Sequence, residues 1–546
     1  MRGGIAVAEG LATRELRLYV LACAAMSLAL WAFTVVLAIT AYKAGGTGAV
    51  TLAVVARVLP GALAGPFTAL LADRHSRRAV LAGLTAGATL VLAALTLAVA
   101  LGAPLWLSLV LAAGCSILTG GQQPAQAAML PGLARNPRQL AVANSLRQGF
   151  GNAAYCVGAL AGGAAAAGLS PAAGFAIALA ASAVALAAIA LMPADAPPAH
   201  RQARADTSVA GELLLGLREV RATPELRESV GLLAALGLVY GVLDVLMVVV
   251  AVQLVGLGTG GVGVLNSLWG AGGLAGGFVA FTLVARGRFS HAIAVGAGLI
   301  AVPLLALAAV AGPIAAMAGF AVLGLGYAIG ETAGQTLVQR LASDESLARA
   351  YAVSETGSQV AVALGSVAAP LLIAGLGIRG ALVATAAVVP VLVACRRGAL
   401  RRLDAQSVVP EHELQTLRAL DLFAPLPLAT VETLALRAPA LDVPAGEQII
   451  TRGDAGSLFY VVVEGSVGVD DGAIVRRLDP GDYFGEIALL RDVPRTAGVV
   501  ALTDARLYML ARADFLLAVT GHVRSTQAAE SMADARLRAS AESTLG

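Results

Sequence analysis

Long apolar runs separated by short polar loops fill the first 395 residues of the chain. A membrane-spanning helix needs roughly 20 apolar residues. Stretches of about this length predict twelve spanning helices, near residues 18–42, 47–71, 79–101, 105–130, 141–167, 171–192, 229–254, 260–285, 290–311, 313–338, 350–374 and 378–395. After residue 396 the pattern changes to short strand-like segments with charged residues between them.

Composition and charge agree with a protein embedded in a lipid bilayer. Of the 546 residues, 58% are hydrophobic and 13% are charged, whereas soluble domains average about 25% charged residues. A formal net charge of +3 provides no strong field for polyanions. These values exclude an ordinary soluble enzyme, a disordered chain and a nucleic-acid binder. The four cysteines lie in or beside apolar runs without metal-ligand spacing, so no metal site is expected.

Basic residues are distributed unequally between the two sets of loops. One set contains clustered arginines, and the other contains little beyond Lys43 and Arg379. An excess of Lys and Arg marks the cytoplasmic side. We therefore expect an inner-membrane or plasma-membrane protein with both termini, and everything after residue 396, in the cytoplasm. The arginines of the first set are Arg74, Arg77, Arg78, Arg135, Arg138, Arg201, Arg204, Arg286, Arg288, Arg340, Arg349, Arg396, Arg397, Arg401 and Arg402.

The two halves of the apolar region repeat one another. The segment GQQPAQ at 121–126 has a counterpart, GETAGQ, at 330–335, and each is followed by a polar loop and another span. Parallel repeats of this kind are typical of transporters, whose substrate site lies between the halves. The predicted organisation is a six-helix half, a central cytoplasmic loop and a second six-helix half, at 1–192, 193–228 and 229–395.

The loop after the second predicted span carries a recognisable motif. Residues 69–78 read ALLADRHSRR, which resembles the loop signature of the major facilitator superfamily, and 124–146 resemble its branch of enterobactin exporters and related drug effluxers. The resemblance implies a gating role for four charged residues. The alternative is that they only keep the loop on the cytoplasmic side of the membrane. These residues are Asp73, Arg74, Arg77 and Arg78.

Apart from Arg379 at the edge of the last predicted span, five charged side chains lie within the predicted spans: Asp244, Glu331, Glu355, Arg147 and Arg57. Each costs about 2.5–3.5 kcal/mol at the bilayer centre, so such groups usually face an aqueous path or a partner. Asp244 and Glu331 are our candidates for proton carriers. Arg147 is expected either to hold an anionic substrate or to neutralise Glu355. Buried ion pairs that only stabilise the bundle are the alternative for all five.

The last 150 residues predict a compact cytoplasmic module. A linker helix is expected at 396–420, a domain at 421–525 and a helical tail at 526–546. Short strands separated by Gly-, Asp- and Pro-containing turns indicate a small β jelly roll within an α+β domain. The expected fold class is thus a polytopic α-helical membrane protein with such a domain at its C-terminal end.

The sequence GDYFGEIALL at 481–490, followed by PRTA at 494–497, resembles the phosphate-binding cassette of cyclic-nucleotide-binding domains. Gly485 would let helix N–H groups approach a cyclic phosphate, Glu486 would accept a hydrogen bond from the ribose, and Arg495 would neutralise the phosphate. A structural salt bridge between Glu486 and Arg495 in a domain without ligand is the alternative. The predicted site comprises Phe484, Gly485, Glu486, Ile487, Ala488, Arg495, Thr496 and Ala497.

Together the two resemblances imply a secondary active transporter that exports a small amphipathic solute and is regulated by a cyclic nucleotide. The regulatory ligand is cAMP or cGMP, and both remain open because Thr496 beside the arginine fits either. Proton coupling is one expectation from the intramembrane carboxyl groups. The alternative function is a cyclic-nucleotide-responsive membrane receptor without net transport. No nucleophile and base combination indicates an enzyme.

Overall fold

The computed structural model of the chain forms two compact units, at 1–406 and 407–546. It describes residues 13–74, 76–133, 137–193, 209–284, 289–342, 347–398, 411–424, 426, 430–431, 434–435, 437–470, 475–491 and 493–520. The predicted tail at 526–546 and residues 399–410 of the connection at 396–420 lie outside these residues.

Helices make up the described part of the first unit. In chain order they are α1 (Arg14–Arg74), α2 (Arg77–Ala100), α3 (Leu105–Gly120), α4 (Gln122–Leu133), α5 (Pro137–Gly168), α6 (Pro171–Ala190), α7 (Val209–Ala222), α8 (Pro224–Val249), α9 (Gly258–Val284), α10 (Phe289–Ala309), α11 (Pro313–Leu341) and α12 (Leu347–Cys395). A π-helical turn, Val250–Leu254, extends α8.

Two helices are too long for a single crossing. A straight helix of the 61 residues of α1 would extend about 90 Å, three times the thickness of the hydrocarbon core. The backbone breaks at Gly46, where φ is +62°, and α12 breaks at Gly377, where φ is +70°. Both breaks fall between spans predicted from the sequence. Eight of the described helices are long and apolar enough to cross a membrane, and the count of twelve crossings stays a prediction.

The span expected at 105–130 is divided into α3 and α4. Pro124 has no backbone N–H, so the helical hydrogen bond to the carbonyl group of Gly120 cannot form. The helix therefore ends at Gly120, and α4 begins at Gln122.

The two helical halves approach closely where small residues face one another. A Cβ atom added to Gly163 on α5 would lie 2.7 Å from the Cα atom of Gly263 on α9. On the same helices, the Ser267 hydroxyl donates to the carbonyl oxygen of Cys156 at 2.7 Å. The Thr51 hydroxyl on α1 donates to the carbonyl oxygen of Ser366 on α12 at 2.8 Å. Close approach through small residues is how helices associate without a hydrophobic driving force.

The described part of the second unit is a small antiparallel β structure with flanking helices. One sheet has the order β1-β8-β3-β6 and the other the order β2-β7-β4-β5. The strands are β1 (Ala440–Val443), β2 (Gln448–Ile450), β3 (Leu458–Glu464), β4 (Val467–Asp470), β5 (Val475–Leu478), β6 (Tyr483–Phe484), β7 (Gly498–Ala501) and β8 (Ala505–Ala511), and the helices are α13 (Glu411–Ala419), α14 (Glu486–Arg491) and α15 (Arg512–Thr520).

Helix α13 belongs to the core of the second unit. Its buried Leu417 packs in one apolar cluster with Phe459 of β3, Tyr508 of β8 and Phe515 of α15. Phe459 and Phe515 stack with ring centroids 4.6 Å apart. This helix lies in the segment expected to be the linker, and its amphipathic sequence is explained by packing on the first sheet.

Candidate functional site

A tight turn joins β6 to α14 in the second unit. Gly485 forms this turn with φ at +88°, in the left-handed region that favours glycine. A Cβ atom at this position would lie 2.6 Å from the Nη1 atom of Arg495. Both the turn and the close approach of the arginine therefore require glycine at position 485.

Arg495 is anchored above this turn although it is charged and only 7% exposed. Its Nη1 donates to the carbonyl oxygen of Gly485 at 3.0 Å, and its Nη2 donates to that of Leu458 at 2.6 Å. Its backbone N–H donates to the carbonyl oxygen of Asp454 at 2.8 Å. The two side-chain bonds use two of the five guanidinium N–H donors. The group is thus held in place while it keeps donors for an anion.

The surroundings of Arg495 are poorly solvated. Burial lowers the pKa of the Arg495 guanidinium from its ordinary value, and the neighbouring Tyr460, Glu486 and Asp454 oppose this shift. Burial likewise raises the pKa of Tyr460, against the effect of Arg495. Arginine nevertheless stays protonated at every physiological pH. A buried permanent cation that is held by neutral carbonyl groups is suited to bind a single negative charge.

The other predicted residues of the cassette surround this point. The ring of Phe484 stacks on Tyr460 at 5.0 Å, and Glu486 begins α14 with 3% of its surface exposed. Ala488 is buried, Ile487 and Ala497 are half-buried, and Thr496 is exposed. Glu486 is an electrostatic neighbour of Arg495, and a structural salt bridge between the two stays the alternative to a ligand site.

A second group of charges lies in the first unit, between its halves. Arg57 on α1 and Asp244 on α8 form an ion pair with Nη2 and Oδ2 2.5 Å apart, and their side chains are 13% and 8% exposed. The Tyr240 hydroxyl, one turn before Asp244, interacts with the guanidinium. The Ser116 hydroxyl donates to the backbone carbonyl oxygen of Arg57. Arg57 and Asp244 therefore form a pair in the structure, whereas the sequence analysis considered each of them by itself.

Glu331 and Glu355 line one cavity in the C-terminal half, formed by α8, α11 and α12. Tyr327 also lines it, and its ring lies 5.6 Å from that of Tyr240. An aromatic contact therefore connects the cavity with the ion pair between the halves.

The remaining charged candidates lie elsewhere in the first unit. Arg147 is an electrostatic neighbour of Tyr19 and Cys23 in the N-terminal half, while Glu355 accepts a hydrogen bond from Gln359 at 2.9 Å. Arg147 and Glu355 thus have different neighbours, whereas one interpretation of the sequence paired them with each other.

The loop motif is described in part. Asp73 and Arg74 end α1, with their side chains outside the described set, and Arg77 begins α2. Arg78 donates from Nε to the carbonyl oxygen of Ile189 at 3.1 Å and from Nη2 to that of Ala190 at 2.8 Å. The last carbonyl groups of a helix have no partner within the helix, and the cation of Arg78 provides hydrogen bonds for those of α6. Arg78 thus links the start of α2 to the end of α6.

Sequence reasoning missed several polar residues of these sites. Tyr351 and Ser354 line the cavity beside the two glutamates, and Ser116 supports Arg57. Ser354 and Tyr351 share one face of α12 with Glu355 through helical spacing, which is the signal that would have found them. Ser116 lies 59 residues from Arg57, so no local pattern points to it.

Proteins of known type are similar in sequence to the second unit. The cAMP-dependent protein kinase regulatory subunit of Aspergillus niger is 42% identical over 79 residues, 14% of this chain and 19% of that protein. A cyclic nucleotide-gated potassium channel of Mesorhizobium japonicum is 41% identical over 101 residues, 18% of this chain and 28% of that protein. The chain thus spans about a fifth of the length of the kinase subunits it matches.

A solved structure resembles the helical unit. The nucleoside transporter NupG, as a point mutant, superposes with a TM-score of 0.59 at 12% identity and covers 71% of this chain and 100% of its own. At this identity the likeness shows the fold alone.

Two family profiles match the chain in different parts. The profile of the cyclic nucleotide-binding domain matches residues 440–520, the part that contains Gly485 and Arg495. The profile of the Major Facilitator Superfamily matches residues 19–345, which is more than half of the chain. The protein therefore belongs to the Major Facilitator Superfamily of membrane transporters and carries a cyclic nucleotide-binding domain at its C-terminal end.

Proposed function

We propose that the protein is a secondary active transporter whose transport rate is regulated by binding of cAMP or cGMP to the second unit. The observation that carries the proposal is the buried Arg495, which is held by the carbonyl groups of Gly485 and Leu458 within a matched nucleotide-binding domain. The kinase subunits that resemble this domain are named for their dependence on cAMP, which supports the same class of ligand here.

Calorimetry of the purified full-length protein with cAMP and with cGMP tests the ligand. We expect saturable binding of at least one of the two, since the buried cation and the turn at Gly485 provide a site for one cyclic phosphate. AMP, whose phosphate carries a second negative charge and lacks the ring, is the matched control and is expected to bind at least tenfold more weakly. Absence of binding by both cyclic nucleotides would remove the regulatory part of the proposal.

Regulation also requires a physical connection to the helices. Arg396, directly after α12, forms an ion pair with Glu228 near the start of α8. The same helix carries Asp244, the partner of Arg57 in the other half. We infer that a change in the chain after residue 396 acts on α8 and shifts the balance between two arrangements of the halves. A nucleotide can drive this shift only to the extent that it prefers one arrangement.

Replacing Arg396 by Gln is expected to reduce the effect of the nucleotide on transport by more than half, because the link to α8 is lost, while nucleotide affinity stays within about twofold. The measurement is flux into proteoliposomes with and without the nucleotide, together with calorimetry. Arg437→Gln, which removes an exposed ion pair with Asp514 in the second unit, is the matched control. An unchanged nucleotide response in Arg396→Gln would exclude this connection.

The finer features of the proposal have separate tests. We propose export of a small amphipathic solute and coupling to protons through Glu331, since Asp244 is already paired with Arg57. We also propose twelve crossings with both termini in the cytoplasm, which labelling of single cysteines from either side of the membrane tests. Flux measurements separate the transporter from a receptor without net transport, because only the transporter moves solute.

A further inference from the structure

The cavity between α8, α11 and α12 is lined by two carboxyl groups, and none of its described lining residues is a cation. Among its ten lining residues, the charged ones are Glu331 and Glu355, and none is Lys, Arg or His. Glu331 accepts a hydrogen bond from Gln335 at 3.3 Å, and Glu355 accepts one from Gln359 at 2.9 Å. No ion pair to either glutamate occurs within the described residues. The two carboxyl groups are electrostatically coupled to one another.

A third acceptor faces the same space. Ser354 is 5% exposed and lines the cavity, and its hydroxyl has no hydrogen-bond partner in the part of the chain that the structure describes. It stands one residue before Glu355 on α12 and adds a hydroxyl to the lining beside the two glutamates.

The size and remaining walls of the cavity restrict what can bind. Its volume is about 20 Å³, which holds one or two groups the size of a water molecule. The rings of Tyr327 and Tyr351 and the apolar Leu233 and Leu236 complete the lining. Aromatic faces attract cations, and Tyr351 is 42% exposed, which leaves that side accessible from outside the bundle.

We propose that this cavity binds the primary ammonium head of an organic cation, and that such cations are the substrate class of the transporter. An ammonium group is about as large as a water molecule and has three N–H donors and no acceptor. The three acceptors are Glu331, Glu355 and Ser354, and the apolar body of the solute extends along Leu233 and Leu236. The assignment as substrate rests on the proposed transport function.

Calorimetry of the full-length protein in detergent with hexylammonium chloride tests the site, with hexyltrimethylammonium chloride as the comparison. We expect saturable binding of the primary amine and at least tenfold weaker binding of the trimethyl compound, which has no N–H donor and is too large for the cavity. Glu331→Gln and Glu355→Gln are each expected to weaken binding at least tenfold, and Ser354→Ala about threefold. Glu225→Gln, which removes a carboxylate of α8 outside the cavity, is expected to have no effect.

Several results would overturn the proposal. Equal affinity for both amines, an undiminished affinity in Glu331→Gln, or displacement of the amine by an equal concentration of sodium chloride would each contradict an ammonium site. Melting temperatures of the variants show that they are folded, and Ser354→Ala tests the site with the smallest change to the fold. Amine binding without any flux would contradict the transport function instead, whereas flux of another solute without amine binding would contradict this inference alone.

Discussion

Replacing Arg495 by Ala is expected to lower the affinity for the cyclic nucleotide at least about 30-fold. Removing one partner of a buried, hydrogen-bonded charge pair costs about 2–5 kcal/mol, and about 1.4 kcal/mol corresponds to tenfold. Arg495 is the buried cation at the turn of Gly485, so the phosphate would be left without its counter-charge. Calorimetry with cAMP and cGMP on the full-length protein measures the loss.

Two further variants distinguish the effect of the Arg495 charge from an effect on the fold of the domain. Arg495→Lys keeps the charge but cannot donate to both Gly485 and Leu458 as a fork, and we expect an intermediate loss of affinity. Arg506→Ala removes an exposed arginine of the same domain that pairs with Asp442 at 2.7 Å, and it is expected to leave affinity within about twofold. If Arg495→Ala and Arg506→Ala bound nucleotide equally well, Arg495 would have only a structural role.

Replacing Asp244 by Asn is expected to lower the transport rate more than tenfold and to reduce thermal stability. Breaking a buried ion pair by removing one partner costs about 3–5 kcal/mol, because the other charge stays buried without compensation. Since Arg57 and Asp244 belong to different halves, that free energy acts directly on the balance between arrangements of the bundle. Proteoliposome flux and thermal unfolding in detergent measure the two effects.

Two controls accompany this variant. One exchanges the charges of Arg57 and Asp244, and the other removes an uncharged hydrogen bond between the halves. The double variant Arg57→Asp with Asp244→Arg restores opposite charges and is expected to recover part of the transport that either single change removes. Thr51→Val removes a neutral hydrogen bond between the same halves, worth about 0.5–1.5 kcal/mol, and is expected to have a small effect. A double variant no better than the single ones would show that the pair acts through more than its charge.

Local features of the fold and of the nucleotide site followed from the sequence. The breaks at Gly46 and Gly377 lie where the apolar pattern was interrupted, because glycine adopts positive φ without steric cost. Gly485 and Arg495 are ten residues apart, and a turn followed by a short helix brings them together. The two family resemblances were confirmed for the superfamily and for the nucleotide-binding domain.

Contacts between distant segments could not be predicted in the same way. Arg57 and Asp244 are 187 residues apart, and each was recognised only as a charge inside a span. Their pairing depends on how the halves pack, which no local periodicity encodes. The membership of α13 in the second unit was missed for the same reason, since its apolar face alone does not say which surface it covers.

The meeting of Gly163 and Gly263 limits how the two halves can move. The two backbones meet directly at this point, so little side-chain volume there can yield when the bundle rearranges. Relative motion at this contact must consist of rolling or separation of rigid helices. A larger residue at either glycine would act as a wedge and hold the two helices apart.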